Sequence, residues 1–245
     1  MNNPKAFPLE QLRVACQQCS LRELCLPLGL DGNELRRLDQ IVRPRRQLLR
    51  GEFLYHEGAP FQKLFAVRSG SIKTTGLTED GRIQVLSFYF PGEILGIDAI
   101  QADRHACSAE ALEATEVCEI PYQQLSDLAR ALPGLQRQLL RIMSGEVVRD
   151  QSLLLALGTL KAEERVATCL LSFSERQRRQ GLPDDQLLLS MSRQDLGDYL
   201  GLALETVSRI LSRFQDAGLL KVQGKRVSVL DMAGLRAAAA SGCAN

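Results

Sequence analysis

The sequence predicts an α+β chain: a short-stranded β unit, one long helix, and a compact helical unit at the C-terminus. Three observations predict it. Between residue 51 and about 122, short apolar runs alternate with Gly51, Gly58, Gly70, Gly76, Gly81, Gly92 and Gly96, as in FLYHEG, LFAVRSG, IQVLSFYFPG and VCEIP. Runs of this length between Gly and Pro read as a β-sandwich or barrel. From Pro133 the pattern turns helical and stays so until near Gly158, with only Gly145 inside it. Residues 190–217 then hold two short amphipathic segments on either side of Gly201. The expected units are a cysteine-rich segment (1–30), a β domain (31–130), a long helix (131–158) and a C-terminal domain (159–245).

The N-terminal segment has little periodicity and no apolar core after a basic start, so it is not a signal peptide. The longest apolar run is Leu153 to Leu157, far short of the roughly 20 residues of a membrane span. A cytoplasmic chain with reduced thiols is expected. Its seven cysteines are an odd number, so a fully paired disulfide set is excluded. Asn33 to Ile41 reads as a helix, followed by the basic stretch Arg43, Arg45, Arg46 and Arg50.

Two apolar stripes run along the long helix. One is Leu135, Leu139, Ile142, Leu153 and Leu157, suited to packing on the β domain. The other is Leu140, Met143, Val147, Asp150 and Leu154, at spacings of 3, 4, 3 and 4. That second set is a coiled-coil seam with one acid in it, which predicts a homodimer. A linker is expected near Gly158-Thr159, then a helix from about Ala162 to Arg179 and a loop at 183–186.

Ser192 followed by Asp195 is a capping signature for a first short helix carrying Leu196, Tyr199 and Leu200. Gly201 supplies the turn, since glycine enters left-handed backbone regions freely. The second helix (203–216) packs on Val207, Ile210, Leu211 and Phe214. This is a helix-turn-helix, whose second helix enters the major groove of double-stranded DNA. Its outward residues are Glu205, Thr206, Ser208, Arg209, Ser212 and Arg213. Arg209 can grip guanine bidentately and Glu205 can accept from cytosine N4. LLKVQ, Gly224-Lys225 and RVSVL read as a wing that sets Lys225 and Arg226 by the phosphates. The whole chain carries only +1, with 30 basic and 29 acidic residues. Residues 204–226 hold five basic and two acidic residues, so the basic face is local.

Cys16-x2-Cys19-x5-Cys25 places three thiols within ten residues, and Cys118 lies at the end of the β region. Four thiolates suit a tetrahedral zinc or an iron–sulfur cluster. Only one pair is tight, and the ferredoxin spacings are absent; three thiols on a loop plus one on a distant strand fit a [4Fe–4S] cube. Reduced thiols without metal remain an alternative at this point. Cys107, Cys169 and Cys243 have no partner at metal spacing, and Cys169 reads as core filler. His56 and His105 are isolated. No catalytic His/Asp/Ser or Cys/His set, P-loop or G-x-G-x-x-G occurs, so no catalytic residue is assigned and the chain reads as no enzyme.

Taken together, the cysteine spacing, RSGSIKT, GRIQVLSFYFPGEILG, ALEATEVCEIP, RIMSGEV and DYLGLALETVSR resemble the FNR family, the oxygen-sensing branch of the CRP/FNR regulators. The resemblance spans roughly residues 10–235. It implies an N-terminal β-roll (double-stranded β-helix or jelly-roll) sensor, a long dimerisation helix and a C-terminal winged helix-turn-helix. It implies that Cys16, Cys19, Cys25 and Cys118 ligate a [4Fe–4S] cluster, and that Glu205, Ser208 and Arg209 read a TTGAT-type half-site in a TTGAT-N4-ATCAA palindrome. It implies an activator that dimerises and binds DNA without oxygen and switches off when oxygen destroys the cluster. Asp150 matches an acid of the family's dimer helix, where two facing carboxylates repel. Contact with RNA polymerase is implied for Arg68-Ser69 and residues 77–82, although Arg82 stands where an acid is common. Where the cAMP-binding branch has an Arg-Ser pair, this chain has His105-Ala106, so no cyclic nucleotide is expected. The competing readings are a helix-turn-helix regulator with structural zinc and an iron–sulfur electron carrier or enzyme; the helix-turn-helix argues against the last.

Overall fold

The computed structural model describes residues 16–43, 46–78 and 80–240; Arg45, Cys243 and the first fifteen residues lie outside them. Helix α1 (Gly32–Ile41) starts where Asp31 accepts from the amides of Asn33 and Glu34, while Glu34 accepts from that of Asp31. This reciprocal cap satisfies amides that the first turn would leave orphaned. Leu35 and Leu38 form its buried face.

Eight strands follow: β1 (Arg46–Leu48), β2 (Phe53–Tyr55), β3 (Lys63–Ser69), β4 (Ile72–Leu77), β5 (Ile83–Tyr89), β6 (Ile94–Leu95), β7 (Ser108–Ala111) and β8 (Thr115–Pro121). They form two four-stranded sheets, in the orders β1-β8-β3-β6 and β2-β7-β4-β5. Leu48, Phe65, Val67 and Val117 of one sheet meet Leu54, Ile72, Ala109 and Ala111 of the other in a shared core.

The closed β-roll expected from the sequence is corrected here. Both sheets are open, and among the described residues no ladder joins β1 or β6 to β2 or β5. Closure needs hydrogen bonding to continue past the edge strands. The edge strands β1, β2 and β6 have only three, three and two residues. A sequence of short apolar runs does not distinguish a sandwich from a roll, because alternation reports which face is buried and not whether the sheet closes. The α+β class and the C-terminal helix-turn-helix stand.

Helix α2 (Tyr122–Ala131) buries Leu125, Leu128 and Ala129. Helix α3 (Pro133–Thr159) begins with proline at its first position, where a missing N–H costs nothing. It continues through Thr159, so the link to α4 (Ala162–Arg179) is Leu160-Lys161 rather than Gly158-Thr159. No described helix is long and apolar enough to cross a membrane.

The C-terminal unit holds β9 (Gln186–Leu188), α5 (Arg193–Leu200), α6 (Leu204–Asp216), β10 (Leu220–Gln223), β11 (Arg226–Val229) and α7 (Met232–Ala240). Ser192 and Asp195 cap α5 reciprocally. Gly201 ends it at φ 63°, and Gly197 lies so close to the Leu202 carbonyl that a Cβ there would sit 2.5 Å away. The wing is three-stranded in the order β10-β11-β9. The unit packs on the β domain: Val85 and Phe88 of β5 share a core with Phe173, Leu196 and Leu200. Lys73 Nζ reaches Asp195 Oδ1 at 2.7 Å, and the hydroxyls of Ser71 and Ser190 are 2.5 Å apart.

Candidate metal centre and nucleic-acid interface

The N-terminal loop is a string of tight turns that begins with a 3-10 turn at Cys16–Gln18. The Cys19 amide donates to the Cys16 carbonyl and the Cys25 amide to that of Leu21, which keeps the loop compact. Cys118 sits in the middle of β8, opposite Ala66 of β3. The thiols of Cys16, Cys19, Cys25 and Cys118 line one cavity, whose remaining wall is largely apolar and includes Leu21, Leu26, Leu38, Val42 and Ile120. Desolvation pushes the thiols of Cys16 and Cys25 up, Cys25 to about 12, and the neighbouring thiols add to the shift.

Two observations bear on what this cavity can hold. Among the described residues, no three His, Cys, Asp or Glu side chains are grouped to hold a metal ion. A single zinc would need sulfurs about 2.3 Å from one point. Yet four soft donors, on three turns of loop and one strand, face the same apolar space. The donor set fits a polynuclear iron–sulfur group, ligated by one thiolate per corner, better than a single ion. Cys107 and Cys169 stand apart: both are buried, Cys107 donating to Asp98 and Cys169 within the C-terminal core.

The loop is tied to α3 by Gln138, whose Nε2 donates to the Cys25 carbonyl at 3.2 Å. Leu135 of α3 is fully buried, and Leu139 and Ile142 pack on the same core. On the opposite face Leu140, Met143, Val147 and Leu154 are 59%, 38%, 54% and 72% exposed, and Asp150 lies exposed among them. Burial pushes the Asp150 carboxyl up, against the pull of Arg149.

On α6, Val207, Ile210, Leu211 and Phe214 are buried while Glu205, Arg209, Ser212 and Arg213 are exposed; Thr206 and Ser208 are half-buried on its flank. Arg209 Nη2 lies 3.5 Å from Thr206 Oγ1. Lys221, Lys225 and Arg226 stand exposed on the wing. The sequence reading missed four polar contacts that surround these sites. Arg213 pairs with Glu163 at the start of α4. Arg68 Nη1 donates to Cys19 Sγ at 3.4 Å. Arg176 of α4 is buried against Glu93 of the β domain, with Nε to Oε1 at 2.8 Å and Nη2 to both Oε2 and the Phe88 carbonyl. Arg149, beside Asp150, reaches the same carboxylate at 3.6 Å. Gly92 next to Glu93 adopts φ 93°, and a Cβ there would meet Leu24 of the thiol loop at 2.8 Å. Each pair joins residues far apart in sequence, so no local pattern signals it; only the proline–glycine turn at 91–92 marks the spot.

Comparisons with known proteins agree with this layout. Residues 164–238 match the Crp-like helix-turn-helix domain family and residues 45–131 the cyclic nucleotide-binding domain family. The transcriptional activator protein Anr of Pseudomonas aeruginosa is 47% identical over 216 residues, 88% of each chain. The fumarate and nitrate reduction regulatory protein of Vibrio cholerae is 42% identical over 222 residues, 91% of this chain and 89% of that one. Among solved structures, FixK2 from Bradyrhizobium japonicum superposes with a TM-score of 0.73 at 31% identity, over 80% of this chain and 96% of that one.

Proposed function

The chain belongs to the FNR-type anaerobic regulators of the CRP/FNR superfamily, and from that premise we propose how this oxygen-responsive, DNA-binding transcription activator works. It acts in the cytoplasm, where the DNA is, and it is not an enzyme. Cys16, Cys19, Cys25 and Cys118 would ligate a [4Fe–4S] cluster. When bound, that group supplies an oxygen-labile cross-link among the four thiolates. The observation that carries this assignment is the single apolar cavity lined by all four thiols.

The protein's own residues do the rest. With the loop pinned to β8, Gln138 holds α3 through the Cys25 carbonyl. The exposed stripe of Leu140, Met143, Val147 and Leu154 seats against its symmetry mate, with Asp150 opposing the contact. Two α6 helices then face successive major grooves of a palindrome of the TTGAT-N4-ATCAA type. Glu205, Ser208 and Arg209 read base edges, while Thr206, Ser212 and Arg213 serve bases or phosphates. Residues around Ser69 and the β4–β5 hairpin, where Arg82 pairs with Asp80 at 2.8 Å, are the proposed polymerase-facing loops. No cyclic nucleotide is assigned: His105 is buried against Tyr55, and Arg104 is turned onto the Gly58 carbonyl.

Anaerobic purification tests the reading. A brown protein with about four irons and matching sulfide per chain is expected, and its colour should bleach in air. Cys118→Ala should lose both the cluster and anaerobic DNA binding. A colourless protein holding one zinc per chain, or unchanged binding by Cys118→Ala, overturns the assignment.

A further inference from the structure

We propose that Arg68 is the cationic positioning residue of the thiol cavity: its guanidinium holds Cys19 Sγ in place and balances the negative charge of the metallated site. The family resemblance implies that Arg68 belongs to the polymerase-facing surface. Its side chain points the other way. Arg68 lies on β3, lines the thiol cavity and donates from Nη1 to Cys19 Sγ at 3.4 Å. Its Nε lies 3.8 Å from Glu116 Oε2 on β8, an ion pair that restrains the guanidinium. Only 21% of the side chain is exposed.

The charge balance explains why a cation is needed there. Four thiolates bring four negative charges, and a doubly charged metal core leaves a net charge of about −2. The surrounding wall of Leu26, Leu38, Val42 and Ile120 solvates none of it. A buried anion of that size is tolerated only when hydrogen-bonded and paired. Among the described residues, two cationic ones line the cavity, Arg22 and Arg68. Arg22 is half in solvent and engaged with Glu23 at 2.9 Å. Near Cys16 stands an acid, Asp39, whose Oδ1 accepts from the Cys16 amide at 2.5 Å. Arg68 is therefore the cation placed to act on the sulfurs, through a charge-assisted donor that also orients one ligand.

This inference rests on the iron–sulfur reading, and one experiment separates the two. The full chain and its Arg68→Lys, Arg68→Gln and Arg68→Ala variants are reconstituted anaerobically with ferrous iron and sulfide. Iron and sulfide per chain are then measured against a competing chelator, with far-ultraviolet circular dichroism as the folding control. Arg68→Ala and Arg68→Gln should retain iron about tenfold more weakly, as loss of an outer-shell partner commonly does. Arg68→Lys should recover most of the affinity, because it restores the charge. If Arg68→Ala fails to fold, Arg68→Gln, which keeps a donor and most of the bulk, decides. Equal retention by Arg68→Gln and the parent overturns the inference, as does Arg68→Lys retaining no more than Arg68→Gln. A parent chain that takes up no iron sinks the iron–sulfur reading itself.

Discussion

Replacing Arg176 by methionine should destabilise the chain by about 3 kcal/mol and loosen the C-terminal unit from the β domain. Arg176 is 8% exposed, so its guanidinium is solvated by protein alone. It gives two hydrogen bonds to Glu93 and one to the Phe88 carbonyl, and lies 4.4 Å over the Phe90 ring. Methionine keeps much of the contact with Phe90 and Phe173 but removes every polar partner. Breaking a buried pair by deleting one side costs about 3–5 kcal/mol, because the other charge is left behind. Glu93 would keep Arg149 at 3.6 Å and the Phe90 amide at 2.9 Å, which places the cost at the low end. At about 2–4 °C per kcal/mol for a chain of this size, the midpoint should fall by roughly 6–12 °C. Differential scanning calorimetry on Arg176→Met, Glu93→Gln and the double variant measures it. The double variant should be more stable than Arg176→Met alone, since it carries no orphaned carboxylate. The reasoning fails if Arg176→Met lies within about 1 kcal/mol of the parent, or if the two single effects simply add.

Three further outcomes are expected. Asp150→Ala should favour the dimer in air: two carboxylates about 4 Å apart repel by about 1–4 kcal/mol between water-like and surface-like dielectric, so the dimer should tighten about fivefold or more. Sedimentation of aerobically prepared protein checks this, and a variant that stays monomeric at the parent's concentrations defeats the repulsion account. Arg209→Ala should cost about 1–3 kcal/mol at one base pair, whereas Lys225→Ala should weaken all sequences alike and flatten the salt slope; binding titrations on single-base variants at several salt concentrations distinguish them. His105 is buried, stacked on Tyr55 at 3.6 Å and edge-on to Phe61, and its pKa is lowered by desolvation despite Asp98 at 3.6 Å. The folded state therefore disfavours its protonation relative to the unfolded chain, which protonates at about 6.5, so stability should fall as pH drops below about 6.5. His105→Gln should flatten that limb, and a parental slope in the variant would assign it to other groups.

What the sequence made legible is whatever repeats locally. The stripe Leu140, Met143, Val147, Leu154 could be read because a helix returns to the same face every three or four residues, and it is the exposed face of α3. Ser192, Asp195 and Gly201 announced α5 and its stop through backbone chemistry that needs no partner elsewhere. Sheet closure was not legible, since it depends on which edge strands meet. The strand Gln186–Leu188 was missed because QLLLS is too short to separate from the loop before it until β11 is there to pair with. The thiol spacing singled out Cys16, Cys19 and Cys25 and hinted at Cys118, and the four thiols line one cavity. It could not reveal Arg68, whose relation to Cys19 exists only once β3 passes beneath the loop.

In the proposed dimer, the modest size of the α3 seam would let the thiol loop govern assembly. Full burial of a Leu, Val or Met side chain contributes about 1.5–3 kcal/mol. Leu140, Met143, Val147 and Leu154 already bury part of their surface in the single chain, so each has about 1 kcal/mol left to gain. Eight such side chains in a symmetric pair would contribute about 8 kcal/mol, against an association cost of about 4–15 kcal/mol and the Asp150 repulsion. The sum lies near zero, the range in which a few kcal/mol decide the state. Two contacts can deliver that difference. Gln138 joins α3 directly to the Cys25 carbonyl. Leu24, next to Cys25, rests on Gly92, and Glu93 beside it is shared by Arg149 at the seam and Arg176 of the reading unit. A side chain larger than glycine at position 92 should therefore displace Leu24 and disturb dimerisation and DNA binding together. Gly92→Ala, assayed for sedimentation and DNA affinity in anaerobic protein that still carries its iron, puts this to the test. Normal assembly in that variant would mean that the coupling runs through Gln138 alone.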